Sequence, residues 1–431
     1  MIQRYFKLAE NQTTVQRELL AGLTTFVTMA YIVVVNPRIL AEAGMPIDGV
    51  LFATCTSAAF ATLVMGVWAN YPIALAPGMS LNAYFTYSIV LGRGVPWQTA
   101  LGVVFLSGLV FLLLTLTNVR EHIVNGIPHC LKHGTAAGIG LFIAFVGLRS
   151  AKIIVANPAT FVALGRISDP QALLATAGLI LTAILMSRRV GGAILLGIVA
   201  STLAGIAIGL NHWPEHLFSF PHPSGTLLKL DLRAATNLGF GEIIFVFFFV
   251  DLFDNVGTLV GVCEQGGFLR NGKLPRASRA LLADALGTIF GALTGTSTVT
   301  SYIESAAGVS AGARTGLGNF VIAGLFLVAM FCAPLVAAIP AYATAPALIL
   351  VGALMCGSVA KVGWDDFTEA FPAFLTLLAT PLTFSIATGL SLGVISFTFL
   401  KLGAGKYREI SPLIWILTAL FLLRYAFLAA E

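Results

Sequence analysis

The sequence predicts an all-α polytopic membrane protein built as two inverted halves of seven spans. Three observations predict it: an apolar composition, a lopsided distribution of basic residues, and two interrupted apolar segments at matching places in the halves. Of the 431 residues, 58% are hydrophobic and only 10% charged, with a mean hydropathy of +0.92. Soluble domains carry about 25% charged residues, so a large soluble enzyme is excluded. The 44 glycines suit membrane helices, where small residues allow close approach. The opening MIQRYFKLAENQTTVQREL is polar and charged, so no cleavable signal peptide is expected before the first span. The five cysteines are scattered and form no CxxC pair, which points to neither a disulfide framework nor a zinc site.

Hydropathy places the first seven spans at 20–36, 49–69, 73–91, 98–117, 134–149, 172–187 and 192–210. The second seven fall at 240–262, 277–293, 296–310, 317–335, 343–359, 371–386 and 388–401, and a further apolar stretch covers 411–428. Several are shorter than the roughly 20 residues of a straight span. With the N-terminus cytoplasmic, sixteen Lys and Arg fall on inside segments and seven on outside ones, Arg424 left aside. That asymmetry follows the positive-inside rule, so the net charge of +5 calls for no nucleic-acid partner. The expected organisation is a first repeat at 1–210, an extracytoplasmic linker at 211–239, a second repeat at 240–403 and a hydrophobic C-terminal helix at 404–431.

The halves repeat a pattern. Span 49–69 leads into NYPIALAPGMSLNAYF, and about 222 residues later span 277–293 leads into TGTSTVTSYIESAAGV. An odd number of spans per half inverts one half against the other. Paired Gly/Pro-interrupted segments in corresponding positions are a pointer to a transporter's binding site; here they are Pro77–Asn82 and Gly295–Glu304. A helix broken at mid-membrane leaves unpaired N–H groups and a positive dipole end, tolerated only where protein or a polar cavity surrounds it. The β-branched, hydroxyl-rich run GTSTVTS suits a short extended piece better than a helix. A kinked helix packed on small residues is the plainer alternative at either break.

Four carboxylates fall inside spans, Asp251, Asp254, Asp284 and Glu304, with Glu242 at a span's edge; no Lys or Arg shares the spans of Asp251, Asp254 and Glu304. An ionised carboxylate at mid-bilayer costs several kcal/mol (about 2.5 or more) unless paired, protonated or wet. Burial favours the neutral form, so such a group naturally binds and releases a proton, the chemistry of a proton-coupled carrier. Asp251 and Asp254 are three apart and share a broad helix face. Asp254 precedes Asn255, Gly257 and Thr258, and the glycine allows another backbone to approach closely. Asp254 and Glu304 are expected at the site, Asp251 as a neighbour or a structural group, and Asp284 as structural. The matching position after the first break is Asn82, whose amide offers donors and an acceptor and can bind adenine in bidentate fashion; its plainer role is interhelical glue. The six histidines lie in loops or at span ends and lack a metal-ligand pattern.

Two carboxylates, an amide and two breaks fit a small, planar, mostly neutral solute. An anionic one would call for a fixed cation, and only Arg314 lies near a break. Five stretches, GLTTFVTMAYIVVVNPRIL, APGMSLNAYF, FVDLFDNVGTLVGV, GTSTVTSYIESAAGVSAGARTGL and IPAYATAPALILVG, resemble those of the AzgA-like purine permeases of the nucleobase–ascorbate transporter superfamily. The resemblance implies proton symport of adenine, guanine or hypoxanthine. It also implies fourteen segments in two inverted repeats, split into core and gate domains, with short strands and half-helices in the third and tenth segments.

Carried onto this chain, the resemblance assigns substrate binding to Asn82, Asp254 and Glu304, with Ser80, Thr258, Tyr302 and Ile303 beside them. Proton coupling falls to Asp254 and Glu304, with Asp251 as the supporting acid. Thr258 stands where some uracil-type relatives have a histidine, which shifts coupling onto the carboxylates. Members preferring guanine or hypoxanthine often lack the third-segment Asn, so its retention favours adenine. The implied partners are a purine nucleobase, a proton and the lipid bilayer of the cytoplasmic membrane, with room for a homodimer; no cofactor is expected. A carrier of the same architecture for uracil, xanthine or an anion is the nearer rival and a channel the more distant one. An enzyme would need a nucleophile–base or HExxH constellation, and the sequence has neither.

Overall fold

The computed structural model describes residues 2–116, 126–220, 225–236, 241–269 and 274–427. Arg120, His122, His222, Arg270 and Lys273 lie outside them, as does part of the expected linker. Nine helices among the described residues are long and apolar enough to cross a membrane, from Val15–Glu42 to Ile386–Gly403. Ala193–Ala207, Phe367–Leu382 and Pro412–Leu423 are shorter apolar helical stretches. Their ends follow local chemistry. Thr14 caps Val15–Met29 by accepting from the Arg17 N–H at 3.3 Å, and Asp169 caps Pro170–Ser187 through the Gln171 N–H at 2.9 Å. The first expected span, 20–36, is two helical pieces, Val15–Met29 and Ile32–Glu42.

The chain forms two compact units, Met1–Leu116 with Gly147–Ala347, and Thr117–Val146 with Leu348–Glu431. In the first unit both interrupted segments are crossings in which a strand interrupts the helix. Asn70, in the left-handed region at φ 50°, and Pro72 end the helical run that begins at Ile47. Then β1 (Leu75–Pro77) leads into Met79–Ala83 and the wider π-helical turns Tyr84–Leu91. Two further strands, β2 (Ile154–Asn157) and β3 (Phe161–Leu164), form a hairpin of their own. In the second half Gly295, at φ 107°, ends Ala277–Thr294, and β4 (Val299–Ser301) precedes Ser305–Ser310. The β-branched run is extended, as its composition predicts.

Antiparallel pairing joins β1 to β4, with Leu75 opposite Ser301 and Pro77 opposite Val299. Two more bonds extend it, Gly78 N–H to Thr298 C=O at 2.9 Å and Tyr302 N–H to Ala74 C=O at 3.0 Å. These two bonds exchange under a shift of 224 residues, which is the operation of an inverted repeat. The same shift relates the outward-facing backbone groups. Thr62 Oγ1 donates to the Leu75 C=O at 3.0 Å and accepts from its N–H at 2.9 Å. Thr288 Oγ1 does the same for Val299, at 3.0 and 3.2 Å. Strand backbone inside a bilayer must find such partners within the protein.

Three expectations are corrected in this unit. Among the described residues no backbone approaches Gly257, whereas Gly66 meets Gly316 so closely that a methyl would overlap the opposing carbonyl. Buried carboxylates are not confined to 240–305. Glu18, 0% exposed, accepts from the Arg314 N–H at 2.8 Å and the Thr315 N–H at 3.2 Å, and so ties the first helix to the turn after Ser305–Ser310. Arg38, one of the seven basic residues placed on outside segments, lies within the helix Ile32–Glu42 and donates to the Val336 and Ala337 carbonyls.

In the second unit Ser385 caps Ile386–Gly403, which packs on Phe367–Leu382 and on Pro412–Phe427. The Thr398–Thr418 and Ser391–Tyr425 hydroxyl pairs, at 2.7 and 2.6 Å, hold the last helix in place. Lys401, the last residue of the expected span 388–401, is wholly buried and meets Glu409 at 2.5 Å, Glu369 at 3.4 Å and Asp366 at 3.7 Å. Lys406 also reaches Asp366, at 2.6 Å.

Candidate functional site

The candidate site lies within the first unit, where β4 and Met79–Ala83, the helical turn that follows β1, meet the helix Gly241–Gln265. Asp254 is part-buried near the middle of that helix, and Ser80 Oγ, in the first turn after β1, donates to its Oδ2 at 3.2 Å. Glu304, three residues past β4, accepts from the Tyr31 hydroxyl at 2.6 Å. Tyr31 sits in the join between Val15–Met29 and Ile32–Glu42 and is fully buried.

The two contacts are related by the inverted repeat. Ser80 and Glu304 are 224 residues apart, and Tyr31 and Asp254 are 223 apart. Each pair therefore joins one half to the other with a hydroxyl facing a carboxylate. The first half supplies both hydroxyls and the second both acids. The positional mate of Glu304 is thus Ser80, not Asn82. An alignment of the halves at 222 rather than 224 residues hides both Ser80's role and that of Tyr31, although Tyr31 stands in the stretch GLTTFVTMAYIVVVNPRIL.

Asn82 is completely buried, and its Oδ1 accepts from the Ser297 hydroxyl just ahead of β4. Its Nδ2 finds no hydrogen-bond partner among the described residues, and neither amide atom of buried Asn255 does. Buried amides with open capacity are where a ligand or water completes the count. Asn36, on Ile32–Glu42, donates to Thr54 at 2.7 Å and Thr296 at 2.9 Å and so ties the second break to the first half.

The remaining expected residues separate. Asp251 is 2% exposed and buried on the Asp254 helix, and Asp284 is completely buried on Ala277–Thr294. Thr258, one turn past Asp254, is part-buried. Tyr302 spends its hydroxyl on the Pro77 carbonyl at 2.6 Å, locking the end of β1. Ile303 is 50% exposed, its terminal methyl beside Gly261. The second half-helix is only six residues, Ser305–Ser310, so side chains rather than a helix dipole carry that half's share. Among the described residues no group of three or more His, Cys, Asp or Glu is placed to hold a metal ion.

Comparison with known proteins places the chain in a family. The Permease family (Xan_ur_permease) matches residues 16–392. A Methanocaldococcus jannaschii protein that carries a permease's name without a stated substrate is 54% identical, covering 99% of each chain. The adenine permease AdeP of Escherichia coli is 44% identical over 100% of this chain and 97% of its own. The guanine/hypoxanthine permease PbuO of Bacillus subtilis is 46% identical over 97% and 99%. Among solved structures, the transmembrane domain of a cyanobacterium bicarbonate transporter, BicA, superposes with a TM-score of 0.67 at 18% identity, covering 88% of this chain and 97% of that one. That likeness is one of fold alone.

Proposed function

The chain belongs to the Permease family, and from that premise we propose a proton symporter that imports purine nucleobases, adenine before guanine and hypoxanthine. It is a multi-pass membrane protein of the nucleobase-transporter type, and its relatives include permeases named for both adenine and guanine/hypoxanthine. The observation that carries the finer reading is the pair of acids, Asp254 and Glu304, brought from two elements of the second half to face the hydroxyls of the first. Carboxylates suit the N–H edges of a neutral base as acceptors and, being ionisable, offer a seat for the coupled proton. They disfavour the anion carried by the structural neighbour BicA.

In this reading Glu304 and Asp254 accept N–H groups of the base. Asn82, fixed through Oδ1 by Ser297, offers its Nδ2 to a ring nitrogen. Ser80 and Thr258 shape the same wall, and Tyr302 and Ile303 frame the strand that presents Glu304. Asp251 is the supporting acid. One of the two site carboxylates takes the coupled proton, and alternating access follows from movement of one domain against the other. The first repeat at 1–210, the second at 240–403, a cytoplasmic N-terminus and a place in the cytoplasmic membrane complete the proposal, and a homodimer is compatible with it.

Uptake of radiolabelled adenine into proteoliposomes tests it. An inward proton gradient should stimulate uptake, and unlabelled adenine should compete better than guanine or hypoxanthine, with uracil and xanthine weaker still. Uptake indifferent to the gradient removes the coupling, and stronger competition by hypoxanthine reverses the preference.

A further inference from the structure

A carrier that delivers a solute and returns for another must reorient once without it. At that step each acid that had bonded the base needs another donor, because a buried carboxylate left without one is costly. The fold supplies a donor to each acid from the opposite half. Tyr31 Oη lies 2.6 Å from Glu304 Oε1, and Ser80 Oγ lies 3.2 Å from Asp254 Oδ2. Tyr31 is 1% exposed and belongs to the join between two helices, so its ring is held and its hydroxyl proton remains free to rotate.

We propose that Tyr31 is a positioning residue that holds Glu304 during the return of the unloaded carrier, standing in for an N–H of the base. This rests on the transport reading above and assigns a step of the cycle to a residue that reading leaves unused. Loading then exchanges one donor for another at Glu304, with no interval in which the acid lacks a partner. Ser80 does the same for Asp254 through the mate of that contact under the inverted repeat.

Two transport modes separate this role from a structural one. Net uptake into base-free vesicles requires the unloaded return. Exchange of labelled for unlabelled base, both sides loaded, does not. Tyr31→Phe keeps the ring and removes the hydroxyl, and net uptake should fall about tenfold, the loss expected for one buried donor to a charged group. Exchange should stay within about twofold of the wild type. Binding of labelled base to the purified variant should be unchanged or tighter, because the base no longer competes with the phenol.

Ser80→Ala, an independent variant at the other pair, should likewise depress net uptake more than exchange. Equal falls in net uptake and exchange, or no fall in either, overturn the inference. Wild-type vesicles that exchange none of adenine, guanine and hypoxanthine overturn the transport reading itself, and the inference with it. A wild type that exchanges base while both variants lose the two modes equally overturns the inference alone.

Discussion

The crossings at 70–91 and 294–310 share a backbone and differ in chemistry. Each has a three-residue strand, each strand is clamped at one residue by a threonine, and each continues into a helix. Beyond the strands the likeness stops. The first crossing carries Ser80 where the second carries Glu304, and the helix facing each crossing carries Asp254 in one half and Tyr31 in the other. The fold keeps its two-fold symmetry in the residues that satisfy backbone and abandons it in those of the candidate site. In the transport mechanism proposed above, a symmetric frame gives two equivalent ways to open, while placing both acids in one half gives a single charged face to load.

The asymmetry makes the largest prediction. Glu304→Gln keeps the shape and removes the ionisable group, and uptake should fall by about two orders of magnitude or more, consistent with the cost of a lost charged hydrogen bond at the site. Membrane abundance should be unaffected, as read by a fluorescent fusion. Near-normal uptake would remove Glu304 from the site and break the contrast between the crossings. Asp254→Asn should follow closely, and Asp251→Asn should cost much less; a reversal of that order would exchange the roles of the two aspartates.

The symmetric part is tested next. Thr62→Val and Thr288→Val each strand one backbone N–H and one C=O in a buried setting, at about 1–3 kcal/mol per group. Both variants should lower the midpoint of thermal unfolding in detergent, and by similar amounts. A loss at one and none at the other would show that the strands are not held equivalently.

A smaller effect is expected at Asn82. If its amide reads the base edge, Asn82→Ala should weaken adenine competition about tenfold relative to hypoxanthine, the scale of one bidentate base contact. Parallel weakening of every purine would instead make Asn82 a scaffold residue.

The smallest effect belongs to the second unit. Hydrogen bonds from Lys406 and Thr368 hold the Asp366 carboxyl below the usual carboxylate range. A carboxyl depressed on folding contributes stability above its unfolded value, about pH 4, and loses it as pH falls toward the folded one. Asp366→Asn should therefore lower the unfolding midpoint slightly at pH 7, and the difference from wild type should shrink below pH 4. A difference that persists in acid would assign the effect to the helix cap rather than to the charge.

Much of this was legible in the chain. The Pro/Gly punctuation at 72–78 and the β-branched run at 296–300 marked both crossings, because clustered Pro and Gly, and runs of β-branched and hydroxyl residues, disfavour a continuous helix. The solitary acids Asp254 and Glu304 stood out because hydrocarbon tolerates few charges. What escaped depends on partners remote in sequence. Glu18 reads as a surface acid near a terminus until the turn at 314–315 covers it, and Lys401 reads as a charge at a span's end until three acids surround it. Tyr31 is an ordinary aromatic in an apolar helix until the repeat brings Glu304 to it. The two-residue difference between the apparent offset of 222 and the structural 224 moved the mate of Glu304 from Ser80 to Asn82. Pattern recognition tolerates such a slip, and side-chain pairing does not.

The central claim is that carboxylates of the second half bind base and proton together. The most direct measurement loads proteoliposomes with a pH-sensitive dye and adds adenine outside, with no pH gradient and the membrane potential clamped. Acidification of the lumen that follows adenine entry, and that is absent with Glu304→Gln, is the expected result. Entry of labelled adenine with no change in internal pH would contradict it.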